Sequence, residues 1–198
     1  MLALVVPVRA DAPLADFLDA WAKVDSYTAT IAVHEIDGRN VQDRVYRYAY
    51  KKPHFARIDI VEGPGRGGGA VWSGGDRVKG HQGGILAMIK LSVAIDDPRA
   101  TSLRGDTIEH GSFQSVADDA KTARTESGPA ASVNGLACDT VTFVLAAPDR
   151  GVTRRSVCFA RTTHMPVRRS AYAGDTAVKQ EDFRDLKLDA GLKESDFG

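Results

Sequence analysis

From Tyr27 onward, apolar residues recur at alternate positions in runs interrupted by glycine, proline and Asp/Asn turns, and this period constrains the fold most. Alternation puts successive side chains on opposite faces of a strand, so such a chain folds as short strands joined by tight turns. Tyr27 to Ile36 reads as one strand, Asp37-Gly38-Arg39-Asn40 as a turn, and Val41 to Tyr50 as its hairpin partner. Tyr46, Tyr48 and Tyr50 share a face, with Arg47 on the other. Pro53 ends that strand, and His54 to Glu62 resumes it with Ile58 and Ile60 on one side. "AVWSG", a Gly74-Gly75-Asp76 turn and "DRVKGHQ" continue the meander. Before Tyr27 the period is helical: Leu14, Phe17, Leu18, Trp21 and Val24 predict a helix from Pro13 to Val24, with Asp11 placed to cap it.

Ile85 to Ile95 is the most apolar segment. Its first half could be helical, while Leu91, Val93 and Ile95 alternate like a strand. It is too short to span a bilayer, so it is expected to be buried, or to line or cover a cavity. Ser112 is placed to cap a helix from Phe113 to about Arg124, with Phe113, Val116, Ala117 and Ala120 inward. Val133 to Leu145 and Gly151 to Arg161 read as strands paired through a loop around Pro148-Asp149, and a last hairpin turns at Gly174-Asp175. The count is roughly ten strands and two helices, a mainly β (α+β) domain over 11–198.

The glycine stretch "VEGPGRGGGAVW" raises a sharper question, because Gly63, Gly65 and Gly68 fit a dinucleotide-binding spacing. That motif needs its third glycine to open a helix whose N–H groups receive the pyrophosphate. Here "AVWSGG" follows, β-branched and aromatic residues leading into another turn. No Lys-Ser or Lys-Thr follows the glycines, so a P-loop fails as well. The stretch reads as a turn between strands.

Other chemistry is sparse. "HEIDG" begins like a zinc-protease helix but has Gly38 where a second histidine is required. His34, His54, His81, His110 and His164 are scattered without metal-ligand spacing, and no metal or cofactor is expected. Asp118-Asp119 reads as solvated, and Glu109-His110 as an ordinary loop pair. No nucleophile has an evident base, so the chain is not expected to be an enzyme; a hydrolase would need Glu109 and His110 to meet a serine in a pocket. The 26 basic and 26 acidic side chains cancel without blocks of one sign, which favours neither nucleic acid nor an anionic membrane. No segment has ~18 uninterrupted apolar residues, so any membrane association is peripheral.

Cys138 and Cys158 fall in consecutive strands, and a register setting them opposite each other puts Val141, Phe143, Leu145, Val157 and Phe159 on the other face. The readings are a disulfide or two reduced, partly buried thiols. A disulfide agrees with export, and "MLALVVPVRADAP" looks like the tail of a signal peptide, with Val8 and Ala10 suiting cleavage after Ala10. Residues 1–10 are therefore read as a signal-peptide remnant.

The order of elements resembles the LolA/LolB-like family of periplasmic lipoprotein carriers. "VNGLACDTVTF" is similar to that family's strand after a Val-x-Gly turn, and "SVCFARTTHMPVRRSAY" to its strand–turn–strand unit, with Pro166 in the expected place and Arg161 where aspartate is frequent. "VKQEDFRDLKLDAGLKESDF" is similar to the closing strand and its terminal Phe. The middle segments "YRYAYKKPHFARIDIVEG", "AVWSGGDRV" and "IDDPRATSLRGDTIEHGSFQSVADDA" look like an exported branch of the superfamily that carries Cys in its C-terminal strand. The resemblance spans about Asp16 to Phe197. It implies a strongly curved antiparallel sheet forming an incomplete β-barrel, covered by helices around an apolar cavity for acyl chains, in a periplasmic protein whose partners are lipid or lipoprotein. On that basis Tyr46, Tyr48, Tyr50, Ile58, Ile60 and Trp72 are candidates to line the cavity, with Met88 and Ile89 in its cover. The same residues would simply be core in a cavity-free barrel. The alternative function is an envelope interaction or sensor module on the same fold, binding a protein partner.

Overall fold

Alternation of buried and exposed positions along β1 (Ser26–Asp37) and a two-residue turn at Gly38-Arg39 bring β2 (Asn40–Lys51) back in the expected hairpin, Tyr27 opposite Tyr50. The meander continues through β3 (Phe55–Glu62), β4 (Gly69–Ser73), β5 (Arg77–His81) and β6 (Lys90–Ala94). A helix, α1 (Ala12–Lys23), precedes β1, and α2 (Phe113–Thr122) follows β6 after a short 3-10 turn at Ile108–Gly111. The C-terminal strands are β7 (Arg124–Val133), β8 (Leu136–Asp149), β9 (Val152–Ala160), β10 (Pro166–Ala173) and β11 (Thr176–Leu188). This computed structural model describes residues 12–84 and 90–198, so the readings on residues 1–10, Asp11, Met88 and Ile89 lie outside the described residues.

Among the described residues eleven strands form one antiparallel sheet in the order β6-β5-β4-β3-β2-β1-β11-β10-β9-β8-β7. Every neighbouring pair follows in sequence except β1 with β11, where the two halves of the chain meet. The edge strands β6 and β7 do not pair with each other, so the curved sheet remains an incomplete barrel, as expected from the resemblance.

Both helices pack on the concave face. Phe17 and Trp21 of α1 and Phe113 and Val116 of α2 meet Tyr27, Tyr48, Tyr50, Val141, Phe143, Val157, Phe159 and Phe183 in one core. Tyr27 and Phe113 stack with ring centroids 4.4 Å apart, and Trp21 stands edge-on to both at 5.9 Å. The Tyr27 hydroxyl accepts the Phe113 backbone N–H at 3.2 Å, so this buried phenol is satisfied.

The C-terminal hairpins depart from expectation in their details. The stretch read as one strand from Val133 is split by an Asn134-Gly135 turn at positive φ, and β7, which was not anticipated, lies before it. In β8–β9, Thr140 rather than Cys138 lies opposite Cys158, and the chain reverses at Arg150-Gly151 rather than near Pro148. A bulge between Val144 and Asp149 absorbs the difference. A two-residue slip preserves which face each side chain occupies. Val141, Phe143, Val157 and Phe159 therefore still face the main core, and Cys138 and Cys158 still share the other face. The cysteines are bridged diagonally, with Cα atoms 5.5 Å apart, in a small cluster with Val133, Ala160 and Val167. Ser112 occupies the position before α2, but its side chain makes no capping bond, and the helix ends at Thr122 rather than near Arg124.

Candidate functional site

The strands that set the core also carry charge onto the concave face. On β1 the inward positions Tyr27, Ala29, Ile31 and Val33 lead to Glu35, which is 1% exposed. On β11, Lys179 and Glu181 share the parity of Phe183 and lie opposite Glu35 and Val33; Arg169 of β10 lies opposite Glu181. Lys179 Nζ lies 2.7 Å from Asp106, 3.2 Å from Glu181 and 3.4 Å from Glu35. Arg169 reaches Glu181 at 2.6 Å.

This cluster fastens the segment joining β6 to the 3-10 turn, residues 95–107, across the sheet as a strap. Ser102 Oγ donates to Glu35 at 2.7 Å, and the Leu103 N–H donates to its other oxygen at 3.2 Å. Arg104 donates to the Ile36 carbonyl at 2.6 Å, and Arg150 pairs with Asp106 at 2.5 Å. Beyond the strap, Tyr48 donates to the Ile108 carbonyl at 3.1 Å, and Arg169 donates to the carbonyls of His110 and Ser112.

The electrostatics explain why these groups stay charged. Burial pushes the Asp106 carboxyl up, but Lys179 and Arg150 more than reverse this and bring it down to about 2. Burial likewise opposes the Glu181 carboxylate, and Arg169 and Lys179 overcome it, so its pKa is lowered. The Lys179 ammonium, disfavoured by burial, is held above its ordinary value by Glu181, Asp106 and Glu35. A cluster of this kind is specific in geometry and costly to break on one side.

Between the strap and the first strands lies a cavity of about 720 Å³. Ile31, Val33, Tyr46, Tyr48, Ile58 and Ile60 supply an aliphatic and aromatic wall, and Lys179, Glu181 and Asp106 border its polar end. Its rim carries Gly65 to Gly69 and His81 to Gly84. The glycine stretch thus sits at the mouth of the cavity as a β3–β4 connection, with no helix after Gly68. The N–H groups of Arg66, Gly67 and Gly68 are engaged by the carbonyls of Gly63, Ile60 and Gly65, which removes them from any phosphate cradle. A side chain at Gly63, which has φ +88°, would run into the Asp43 carbonyl.

Of the sequence candidates, Tyr46, Tyr48, Ile58 and Ile60 line this cavity. Tyr50 and Trp72 instead border a second, more polar cleft of about 470 Å³ beside α2. Tyr50 donates to the Pro53 carbonyl at 2.8 Å, and Trp72 to the Gly75 carbonyl at 2.9 Å. Glu109, His110, Ser112 and Ser115 also line that cleft. Ser115 Oγ donates to the backbone carbonyls of His110 and Ser112, while the His110 ring faces Thr107 Oγ1 at 2.8 Å. Among the described residues no serine hydroxyl is bonded to the imidazole. Asp119 is not simply solvated, since Arg155 binds it at 2.7 Å. Among the described residues no group of three or more His, Cys, Asp or Glu is placed to hold a metal ion.

Sequence reasoning passed over Arg44, Glu35, Asp106, Arg169, Lys179 and Glu181. Strand parity carried the signal for most of them: Glu35 falls in step with Ile31 and Val33, and Arg44 with Tyr46 and Tyr48.

No protein-family model matches the chain, and no curated protein matches it in sequence. Solved structures do match in shape. A DUF1329 family protein from Desulfovibrio piger superposes with a TM-score of 0.54 at 14% identity, covering 94% of this chain and 96% of that one. A putative outer membrane lipoprotein-sorting protein domain from Vibrio parahaemolyticus gives 0.52 at 13% identity, covering 93% and 95%. The Pseudomonas aeruginosa MucA/MucB complex gives 0.52 at 12% identity, covering 94% of this chain and 61% of the matched chain. At such identities the likeness defines the fold alone: a curved antiparallel sheet, left open as an incomplete barrel, with a helical cover. Among the described residues no helix is long and apolar enough to cross a membrane.

Proposed function

We propose that the protein is an exported, periplasmic binding protein that shelters acyl chains of a lipid or lipoprotein in the cavity beneath the strap, and that it is not an enzyme. The observation that supports this most directly is the volume of about 720 Å³ behind a wall of Ile31, Val33, Tyr46, Tyr48, Ile58 and Ile60. Small-molecule sites typically enclose roughly 300–1,000 Å³ with mostly apolar walls and a few placed polar groups. Each methylene moved from water onto such a wall gains about 0.8 kcal/mol, so a long chain binds without any catalytic group. The fold shared with a lipoprotein-sorting domain supports this reading, and the disulfide and the signal-like first residues support export.

The test is mass spectrometry of organic extracts from protein purified under native conditions from a bacterial periplasm. Co-purifying acyl lipid in near-stoichiometric amount is the expected result. Protein free of lipid and unable to take up acyl probes would defeat carriage.

A second reading, an interaction module for an envelope protein, draws on the fold shared with the MucA/MucB complex. It predicts a co-purifying protein that is retained when the cavity is blocked by Ile58→Trp, whereas bound acyl lipid would be lost.

A further inference from the structure

Among the described residues, two arginines of the cavity, Arg44 in its wall and Arg66 at its rim, have no carboxylate partner within ion-pair distance. Arg44 lies on β2 opposite Val33, on the same face as Tyr46 and Tyr48. Among the described residues its buried Nε has no hydrogen-bond partner, and its one side-chain hydrogen bond is a long one from Nη1 to the Tyr46 hydroxyl at 3.4 Å. Apart from Arg44 and Arg66, the arginine, lysine and carboxylate charges around the cavity are matched among the described residues. Glu35, Asp106 and Glu181 share Lys179, with Arg150 on Asp106 and Arg169 on Glu181, and Arg99 grips Asp97.

A guanidinium without a carboxylate partner beside a low-dielectric wall attracts an anion, and its planar fork matches the paired oxygens of a carboxylate or phosphate. Burial raises the Tyr46 pKa against the opposing influence of Arg44, so its phenol stays protonated and offers a further donor. On the other side of Tyr46 the wall is apolar through Tyr48, Ile58 and Ile60. Charge at one end and hydrocarbon along the wall define an amphiphile.

We infer that the cavity selects amphiphiles with an anionic oxyacid head, the head seated on Arg44 and the tail lying along Tyr46, Ile58 and Ile60. This rests on the reading that the cavity takes acyl chains.

The experiment is displacement of an uncharged fluorescent acyl probe from the intact protein by palmitate, hexadecyl phosphate or hexadecanol, with acetate and inorganic phosphate as tail-less competitors. Palmitate and hexadecyl phosphate are expected to bind roughly tenfold or more tightly than hexadecanol, the scale of a charge-assisted hydrogen bond. Acetate and phosphate at the same concentrations should displace nothing. Arg44→Met, with its fold checked by circular dichroism and thermal melting, should lose the preference for the acids while keeping the hexadecanol affinity. Arg44→Lys should keep part of the preference. Equal binding of acid and alcohol by the natural protein, or a preference that survives in folded Arg44→Met, would overturn the head-group seat and leave acyl binding standing. Displacement by acetate or phosphate alone would overturn the amphiphile in favour of a small-anion site. Failure of every ligand, hexadecanol included, would remove the acyl cavity and this inference with it.

Discussion

Lys179 shows how much can hang on one side chain. Its ammonium is shared by Glu35, Asp106 and Glu181, and through Glu35 and Asp106 it fixes the strap over the sheet. Lys179→Met would leave buried carboxylates short of a cation and is expected to cost ~3–5 kcal/mol of stability, read from urea unfolding. An unchanged midpoint would show that the strap is held by something else. Acidity should act on the same groups. Burial holds the His110 ring below the ordinary histidine pKa, so the unfolded chain binds a proton the folded chain refuses, and stability falls as pH drops from about 6.5. Asp106 is depressed to about 2 and Glu181 is also lowered, so their contribution is full above about pH 5 and is lost progressively as pH falls toward 2. Melting temperature against pH should decline in those two windows, and His110→Phe should remove the upper one. These residues were legible in principle, since Glu35, Arg44 and Glu181 sit on the inward parity of their strands, but a charge at an apolar position does not announce its partner. Lys179, Asp106 and Arg169 meet only through the β1–β11 and β10–β11 pairings and the course of the strap.

At the scale of elements, the sequence was most readable where alternation was strong. The β1–β2 hairpin, the β3–β4 glycine turn, the helix of Phe17 and Trp21, and the β10–β11 hairpin all stand where period and turn chemistry put them. β7 was not readable, because "RTESGPAASV" is largely exposed and shows no apolar alternation. Gly128 and Pro129 lie where its register breaks, between Ser127 and Ala130. Proline and a bulge suit an edge strand that must not recruit another chain. The β8–β9 register was misplaced by two residues because Pro148 suggested the apex and the bulge was invisible. The disulfide across that hairpin closes about 20 residues. Replacing both cysteines with serine is expected to lower stability by about 3 kcal/mol, with fluorescence-monitored denaturation as the check. At the cavity rim, Gly63→Ala sets a Cβ against the Asp43 carbonyl at a positive φ and should lower stability by roughly 1–3 kcal/mol. A neutral result there would mean the rim is more yielding than its backbone packing indicates.

For the whole molecule, the two halves of the chain meet at β1 and β11, and the charged cluster sits on that seam. The apolar wall comes from β1 to β3, while the ion pairs that hold the strap come from β1, β10, β11 and Arg150 beyond β8. The strap is thus held over the apolar wall by ion pairs at the polar end of the cavity. The architecture was foreseeable from the resemblance; the division of the concave face into an apolar wall and an ionic clamp was not, because it depends on which strands become neighbours. Whether that space takes up an acyl chain is measured directly by fluorescence titration of the purified protein with a long-chain acyl probe. The natural protein should saturate near one probe per chain, and Ile58→Trp, folded by circular dichroism, should lose the signal. Uptake undiminished by Ile58→Trp, or no saturable uptake by the natural protein, would contradict acyl binding in the cavity.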